Sequence, residues 1–411
     1  MGYRFTSCFS FCTSSEPFSV GAQRGSENVK DGRLYSYKEL SAATQGFRPS
    51  NKIGRGGFGP VFKGRLKDGT IVAVKVLSVE AKQGEKEFLS EIAAISNIRH
   101  DNLVELLGCC IDGKNRMLVY GYVENRSLSQ TLFGKVFSID SIHAFVVKFM
   151  SIIFCHVFFG ATVITFSTLI ADSEYDQNNF SWTVRRNICL GVARGLAFLH
   201  ELVEPHIVHR DIKASNILLD RNLNPKISDF GFAKLFPDDI THISTRVAGT
   251  LGYLAPEYAL HGKLTRKADT YSFGVLLLEI VSGKCITTTG VLLGEQNLLE
   301  AAWALYKAGR LFELVDLKLN GKNCEEAMWF MKIGLLCVQK IPSWRPRMSA
   351  VVNMILNEND SGDVQISEPG FIADVDAIKV AREQSSQSPS QLQSSLFSSK
   401  STLQFQESLA K

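Results

Sequence analysis

Three glycines, Gly54, Gly56 and Gly59, lie in the run Gly54-Arg55-Gly56-Gly57-Phe58-Gly59-Pro60-Val61. A loop with so little side-chain bulk lets backbone N–H groups approach phosphate oxygens. Alone the pattern is ambiguous, because a dinucleotide-binding turn carries the same glycines. Here strand-like sequence (Val61-Phe62-Lys63) follows the loop, where a dinucleotide site would open a helix. Lys75 ends the run Val72-Ala73-Val74-Lys75 and can reach the α- and β-phosphates, with Glu91 as candidate counter-ion. Farther on stand His209-Arg210-Asp211-Ile212-Lys213-Ala214-Ser215-Asn216 and Asp229-Phe230-Gly231. Asp211 can take the proton of an attacking hydroxyl. Asn216 and Asp229 offer the hard oxygens that Mg²⁺ shares with phosphates. One chemistry unites these groups: transfer of the γ-phosphoryl of ATP to a hydroxyl, which needs a held triphosphate, neutralised charge and an in-line nucleophile.

These side chains need elements to hold them. Short alternating runs from Ile53 to Val76 read as hairpin strands, with Asp68-Gly69 as a tight turn. The spacing of Phe88, Ile92 and Ile95 predicts a helix over 85–98, with Glu91 beside its apolar stripe and aimed inward. Beyond Asn125 the pattern is mainly helical. Ser181 can cap a helix presenting Ile188, Val192 and Leu199. Tyr271 to Ser282 reads as an apolar helix that Gly283 would end. A short helix is expected to begin at Tyr35. Residues 1–34 read as a flexible Ser/Gly-rich leader, and 358–411 as a disordered Ser/Gln-rich tail.

The 411 residues allow two compact lobes with tails. With 45 basic and 41 acidic residues the net charge is +4, too small to point to nucleic acid as a partner. Nine scattered cysteines without a CxxC pair fit a reducing, cytoplasmic compartment. Cys109, Cys110, Cys189 and Cys337 then read as small core residues. Residues 1–20 lack the basic start and apolar block of a secretory signal. The opening Met1-Gly2-Tyr3-Arg4-Phe5-Thr6 has the form of a myristoylation site at Gly2, with Cys8 and Cys12 as palmitoyl acceptors. One acyl chain binds marginally, so attachment to the cytosolic face of the plasma membrane would need a second. The other reading of this stretch is a leader that merely begins with Met-Gly.

With Ala255-Pro256-Glu257, the motifs resemble a eukaryotic protein kinase over roughly residues 47 to 355. Three runs are similar to those of plant receptor-like cytoplasmic kinases of the cold-responsive type. They are Tyr35-Ser36-Tyr37-Lys38-Glu39-Leu40, Ala214-Ser215-Asn216-Ile217-Leu218-Leu219-Asp220 and Gly252-Tyr253-Leu254-Ala255-Pro256-Glu257-Tyr258. The resemblance implies an α+β, two-lobed kinase fold within 35–357: a small β-rich N-lobe (about 47–120) and a mainly helical C-lobe (about 125–357). It implies ATP and Mg²⁺ as cofactors, with Ile53, Val61, Ala73, Tyr120 and Val123 joining the glycines and Lys75 around the nucleotide. Lys213, and Thr250 ahead of Ala255, match kinases that act on serine and threonine. The partners implied are protein substrates and an upstream receptor kinase. Glu257 would pair with Arg345, and Asp269 would brace the catalytic loop. Arg210 would receive a phosphate on the activation loop, at Thr245 first, then Ser244, with Thr241 also in the stretch.

The chain departs from the pattern in four places. Gly121 replaces a hinge glutamate, where the adenine contact uses backbone. Phe232 and Thr270 replace aliphatic residues and affect packing only. The fourth departure is an apolar insert at about 136–176. It stretches the Glu91–Asp211 interval to 120 residues, longer than the family's by roughly forty. Within it, residues 149–171 carry no charged side chain for 23 positions, enough to span a bilayer. A single crossing would put Lys75 and Asp211 on opposite sides of a membrane, where they could not share one ATP. The insert therefore reads as translated intron, as a loop lying on a membrane or partner, or as an element that dismantles the fold. The last possibility keeps an inactive scaffold as the rival to an enzyme.

Overall fold

The structure is a computed structural model and describes residues 33–56, 59–77, 82–133, 180–237, 240–286, 297–319, 324–357 and 365–371. Gly2, Cys8, Cys12, the 136–176 insert and most of the C-terminal stretch lie outside the described residues.

Alternation of β-branched residues builds the N-lobe sheet. Its strands are β1 (Arg33–Leu34), β2 (Lys52–Gly56), β3 (Gly59–Arg65), β4 (Ile71–Leu77), β5 (Leu106–Asp112) and β6 (Asn115–Gly121), in the order β1-β5-β6-β4-β3-β2. The pairings are antiparallel except β1 with β5, where Arg33 lies opposite Gly108. At the β3–β4 turn the Thr70 N–H donates to Asp68 Oδ1 at 2.9 Å, the expected local side-chain cap.

Period-2 geometry sends Val72 and Val74 to one face of β4 and Ala73 and Lys75 to the other. The valine face packs with Met117, Val119 and Cys110 beneath Tyr35 and Leu40. Leu40 belongs to α1 (Tyr37–Ala43), whose N-cap Ser36 accepts from the Glu39 N–H at 3.2 Å. The helix expected near Tyr35 therefore forms, and its Leu40 joins the N-lobe core. The opposite face receives Phe88 and Ile95 of α2 (Lys82–Ile95). This helix starts and ends three residues earlier than its apolar spacing suggested. Ser96 and Asn97 end it, two residues that favour turns over helix interiors.

The C-lobe begins with α3 (Leu128–Leu132) and α4 (Trp182–Ala197), which continues through a wider turn at Phe198–Leu202. Two antiparallel pairs follow. They join β7 (His206–Val208) to β10 (Lys234–Phe236) and β8 (Ile217–Leu219) to β9 (Pro225–Ile227). A third pair joins β11 (Ile243–Ser244) to β12 (Lys263–Leu264), flanking α5 (Pro256–His261). The remaining helices are α6 (Lys267–Ser282), α7 (Leu298–Lys307), α8 (Cys324–Cys337) and α9 (Met348–Leu356). Helix α6 is buried almost all round, which is why its sequence is apolar without a polar stripe. Helix α8 lies so close that a Cβ on Gly274 would meet the Cys337 Cβ at 2.7 Å. Burial pushes the thiol of Cys110 up to about 11 and those of Cys189 and Cys337 up to about 12, as suits inert core residues. Cys109 is only partly buried, against the same core.

Residues 365–371, within the stretch expected to be a tail, lie against the C-lobe. Ile366 is buried and Pro369 bridges to Gln339. Because Leu40 is fully buried, Leu40→Ala should destabilise the chain by about 2–5 kcal/mol. Urea denaturation checks this, and an unchanged midpoint would show that α1 contributes no core.

Candidate active site

Lys75 is the side chain around which the cleft is organised. Its Nζ donates to Glu91 Oε1 from α2 and, at 2.7 Å, to Asp229 Oδ1 from the C-lobe. The Tyr120 hydroxyl donates to the other Glu91 oxygen. Tyr120, expected beside the nucleotide, thus also anchors the counter-ion. Burial opposes the Lys75 charge, but Glu91 and Asp229 outweigh it and hold the ammonium's pKa above the ordinary lysine value. Complete burial pushes Glu91 up to about 7 against the pull of Lys75. Burial also works on Asp229, yet Lys75 prevails and holds that carboxyl below the usual aspartate range.

Above the cleft, β2 and β3 pair Gly56 with Gly59 at the turn. A Cβ on Gly59 would meet the Val76 carbonyl oxygen at 1.8 Å, so only glycine fits there. A Cβ on Gly54 would meet nothing within 4 Å, and one on Gly56 only the Gly59 carbonyl oxygen at 4.0 Å, which leaves this part of the loop uncluttered. Ile53 lies on β2, Val61 on β3 and Ala73 on β4, and Val123 follows β6. A separate cavity of about 250 Å³ lies at Arg99–Asp101, Leu103–Glu105, Gly121–Val123 and Lys226. It includes neither Lys75 nor Asp229, so it is not where the charged groups converge.

Asp211 collects donors from three directions. Thr250 Oγ1 donates to Oδ1 at 2.7 Å, while Asn216 Nδ2 and Lys213 Nζ each reach Oδ2 at 2.9 Å. Lys213 also donates to Thr250 Oγ1 at 2.7 Å. Sequence resemblance marks Thr250 for substrate preference alone, and its bond to Asp211 crosses 39 residues that no local spacing reveals. The Ser228 N–H donates to the Asn216 carbonyl at 2.9 Å, which ties the residue before Asp229 to Asn216. The side-chain oxygens of Asn216 and Asp229 are the hard donors that would hold Mg²⁺, with water and phosphate completing its shell. Among the described residues no group of three or more His, Cys, Asp or Glu side chains could hold a metal alone.

Asp269 of α6 lies fully buried under this loop. Its Oδ2 accepts from the His209 N–H at 2.7 Å and meets His200 Nε2 at 2.9 Å, and its Oδ1 accepts from the Arg210 N–H at 2.8 Å. These bonds hold Arg210 at φ 73, a left-handed conformation that side-chain-bearing residues avoid. Burial would raise the Asp269 pKa, but His200, His209 and the Arg210 N–H outweigh it and hold the carboxyl below 3.8. The Arg210 guanidinium meets the Tyr258 hydroxyl at 2.6 Å and the Arg246 carbonyl at 2.8 Å, one residue past Thr245. Ser244 pairs with Lys263, Thr245 donates its N–H to Gly262, and Thr241 is exposed beside His242. Glu257 and Arg345 form the expected pair, bidentate at 2.7 and 2.8 Å.

Residues 47–355 match the family described as protein tyrosine and serine/threonine kinase. The chain belongs to this family. The kinase is 52% identical over 355 residues to "Cold-responsive protein kinase 1" of Arabidopsis thaliana, covering 86% of this chain and 81% of that protein. It is 49% identical over 341 residues to a probable LRR receptor-like serine/threonine-protein kinase of the same plant. That match covers 83% of this chain but only 29% of the receptor-like protein. The kinase is thus a serine/threonine protein kinase, an enzyme that acts on protein substrates. Among its described residues no helix is long and apolar enough to cross a membrane.

Asp269→Asn should cost about 2–3 kcal/mol at neutral pH by weakening charge-assisted bonds. The folded pKa lies below the unfolded 3.8, so this contribution is full above that pH and fades as pH falls through the folded value. Denaturation of both forms across pH checks it: the gap should close below about 4, and a gap constant to the acid end would contradict the assignment.

Proposed function

We propose that this chain is an active, Mg·ATP-dependent kinase, with Asp211 as base. The observation that carries the reading is Lys75, buried and ion-paired at once with Glu91 of the N-lobe and Asp229 of the C-lobe. That arrangement presents one ammonium to phosphate from a closed cleft. The substrate hydroxyl forms its new bond to the γ-phosphorus, the bond to the β–γ bridging oxygen breaks, and ADP leaves. Asp211 takes the proton, with Lys213 and Thr250 holding its two oxygens. Mg²⁺ between Asn216 and Asp229 would supply the positive charge that offsets the phosphates.

The similarity to receptor-like kinases supports a place downstream of a cell-surface receptor, with Arg210 receiving an activation-loop phosphate at Thr245, Ser244 or Thr241. The Gly2 signal and Cys8 or Cys12 would hold the chain at the membrane's cytosolic face. ³²P transfer by the full-length chain, with Asp229→Asn as blank, tests the proposal. Asp211→Asn should lower the rate by about 10²–10⁴-fold. A wild-type signal no higher than the blank would leave the inactive scaffold as the better reading.

A further inference from the structure

The family match ends at residue 355, yet 365–371 is docked on the C-lobe through a continuous set of polar contacts. The Lys340 N–H donates to the Glu368 carbonyl at 3.1 Å, and the Gly370 N–H donates to the Val338 carbonyl at 2.9 Å. Ser367 donates twice to Gln339 Oε1, from its backbone N–H at 3.1 Å and its hydroxyl at 2.7 Å. The buried Tyr271 hydroxyl donates to the Gly370 carbonyl at 2.7 Å.

The groups that receive these contacts also hold the far end of the activation segment. The Gln339 carbonyl accepts from Arg345 Nε at 2.7 Å, and the Arg345 guanidinium lies 5.0 Å above the Tyr271 ring centroid while it clasps Glu257. Gly370 packs so tightly on Pro256 that a Cβ there would meet the proline Cγ at 2.8 Å. From Pro256 the chain leads back to Tyr253, whose N–H donates to the Thr250 carbonyl at 3.1 Å and whose own carbonyl accepts from Ser272 Oγ at 2.7 Å. Thr250 in turn reaches Asp211.

We propose that residues 365–371 are a strap that positions the protein-substrate end of the site, acting through Gln339, Arg345, Tyr271 and Pro256 on residues 250–257. These are positioning residues, and none of them touches the reacting atoms. Without the strap, buried Gln339 Oε1 and the buried Tyr271 hydroxyl lose their partners, so the base under Glu257 loosens. The ATP side, built on Lys75, Glu91 and Asp229, is anchored elsewhere and is spared.

This rests on the proposed role of Asp211, so the test needs one readout that does not depend on turnover. A chain ending at residue 364 and full-length Gly370→Val are compared with wild type by hydrogen exchange and kinetics. Amides of 253–259 should exchange at least about tenfold faster in both variants, with those of β4 unchanged. KM for a protein substrate should rise about tenfold with KM for ATP within about twofold. A synthetic peptide of residues 363–373 added to the shortened chain should restore protection. Should the shortened chain fail to fold, Gly370→Val decides on the same readouts. Unchanged protection at 253–259, or equal losses for ATP and protein substrate, overturns the strap. Failure of phosphoryl transfer in the wild type, with the exchange difference intact, would count against the catalytic reading alone.

Discussion

A buried ammonium is the constraint on which the rest of this molecule depends. Left alone in a protein interior, Lys75 would carry a desolvation penalty of several kcal/mol. Here it is relieved only when β4, α2 and the segment at Asp229 meet in one place. The sheet must present Lys75 on its inner face, α2 must turn Glu91 inward, and the C-lobe must bring Asp229 across. Tyr120 on β6 completes the enclosure by donating to Glu91. The ion pair is therefore less a source of stability than a condition on geometry, met only when both lobes are in position.

A second condition lies beneath the catalytic loop. Arg210 and Asp229 both adopt left-handed backbone conformations, at φ 73 and 68, which cost of order 1–3 kcal/mol each. Asp269 offsets the first with two charge-assisted backbone bonds from a fully buried position. His209 ties the two strained positions together: its Nδ1 accepts from the Asp211 N–H and its Nε2 meets the Ser228 carbonyl at 3.1 Å. That pattern sets the ring's tautomer, with the proton on Nε2. Strain at Arg210 and Asp229 is thus held by buried polar groups that take no part in the chemistry.

The ordered unit extends past the family's limits at both ends. Before residue 47, Tyr35 and Leu40 cover the valine face of the N-lobe sheet. After residue 355, the strap satisfies the buried side-chain oxygen of Gln339 and the hydroxyl of Tyr271. The first extension covers the sheet face opposite Lys75, and the second packs on Pro256 at the end of the activation segment.

Local chemistry made much of this legible beforehand. Lys75, Asp211, Asn216 and Asp229 can be read as phosphate-handling groups because residue type and short spacing declare their chemistry. Gly283 ends α6 and Asp68-Gly69 turns β3 into β4 because such signals act within a few residues. The helix near Tyr35 could be seen, but not its role as core, because the sheet face it covers is assembled from strands farther along the chain. Thr250 on Asp211, Tyr120 on Glu91 and Ser367 on Gln339 are bonds between residues tens of positions apart. The sequence by itself determined the chemical groups and the local turns, since both depend on neighbours in the chain. Only the tertiary structure decided which hydroxyl meets which carboxylate, because burial leaves each of these polar groups to find its partner wherever the fold has brought one.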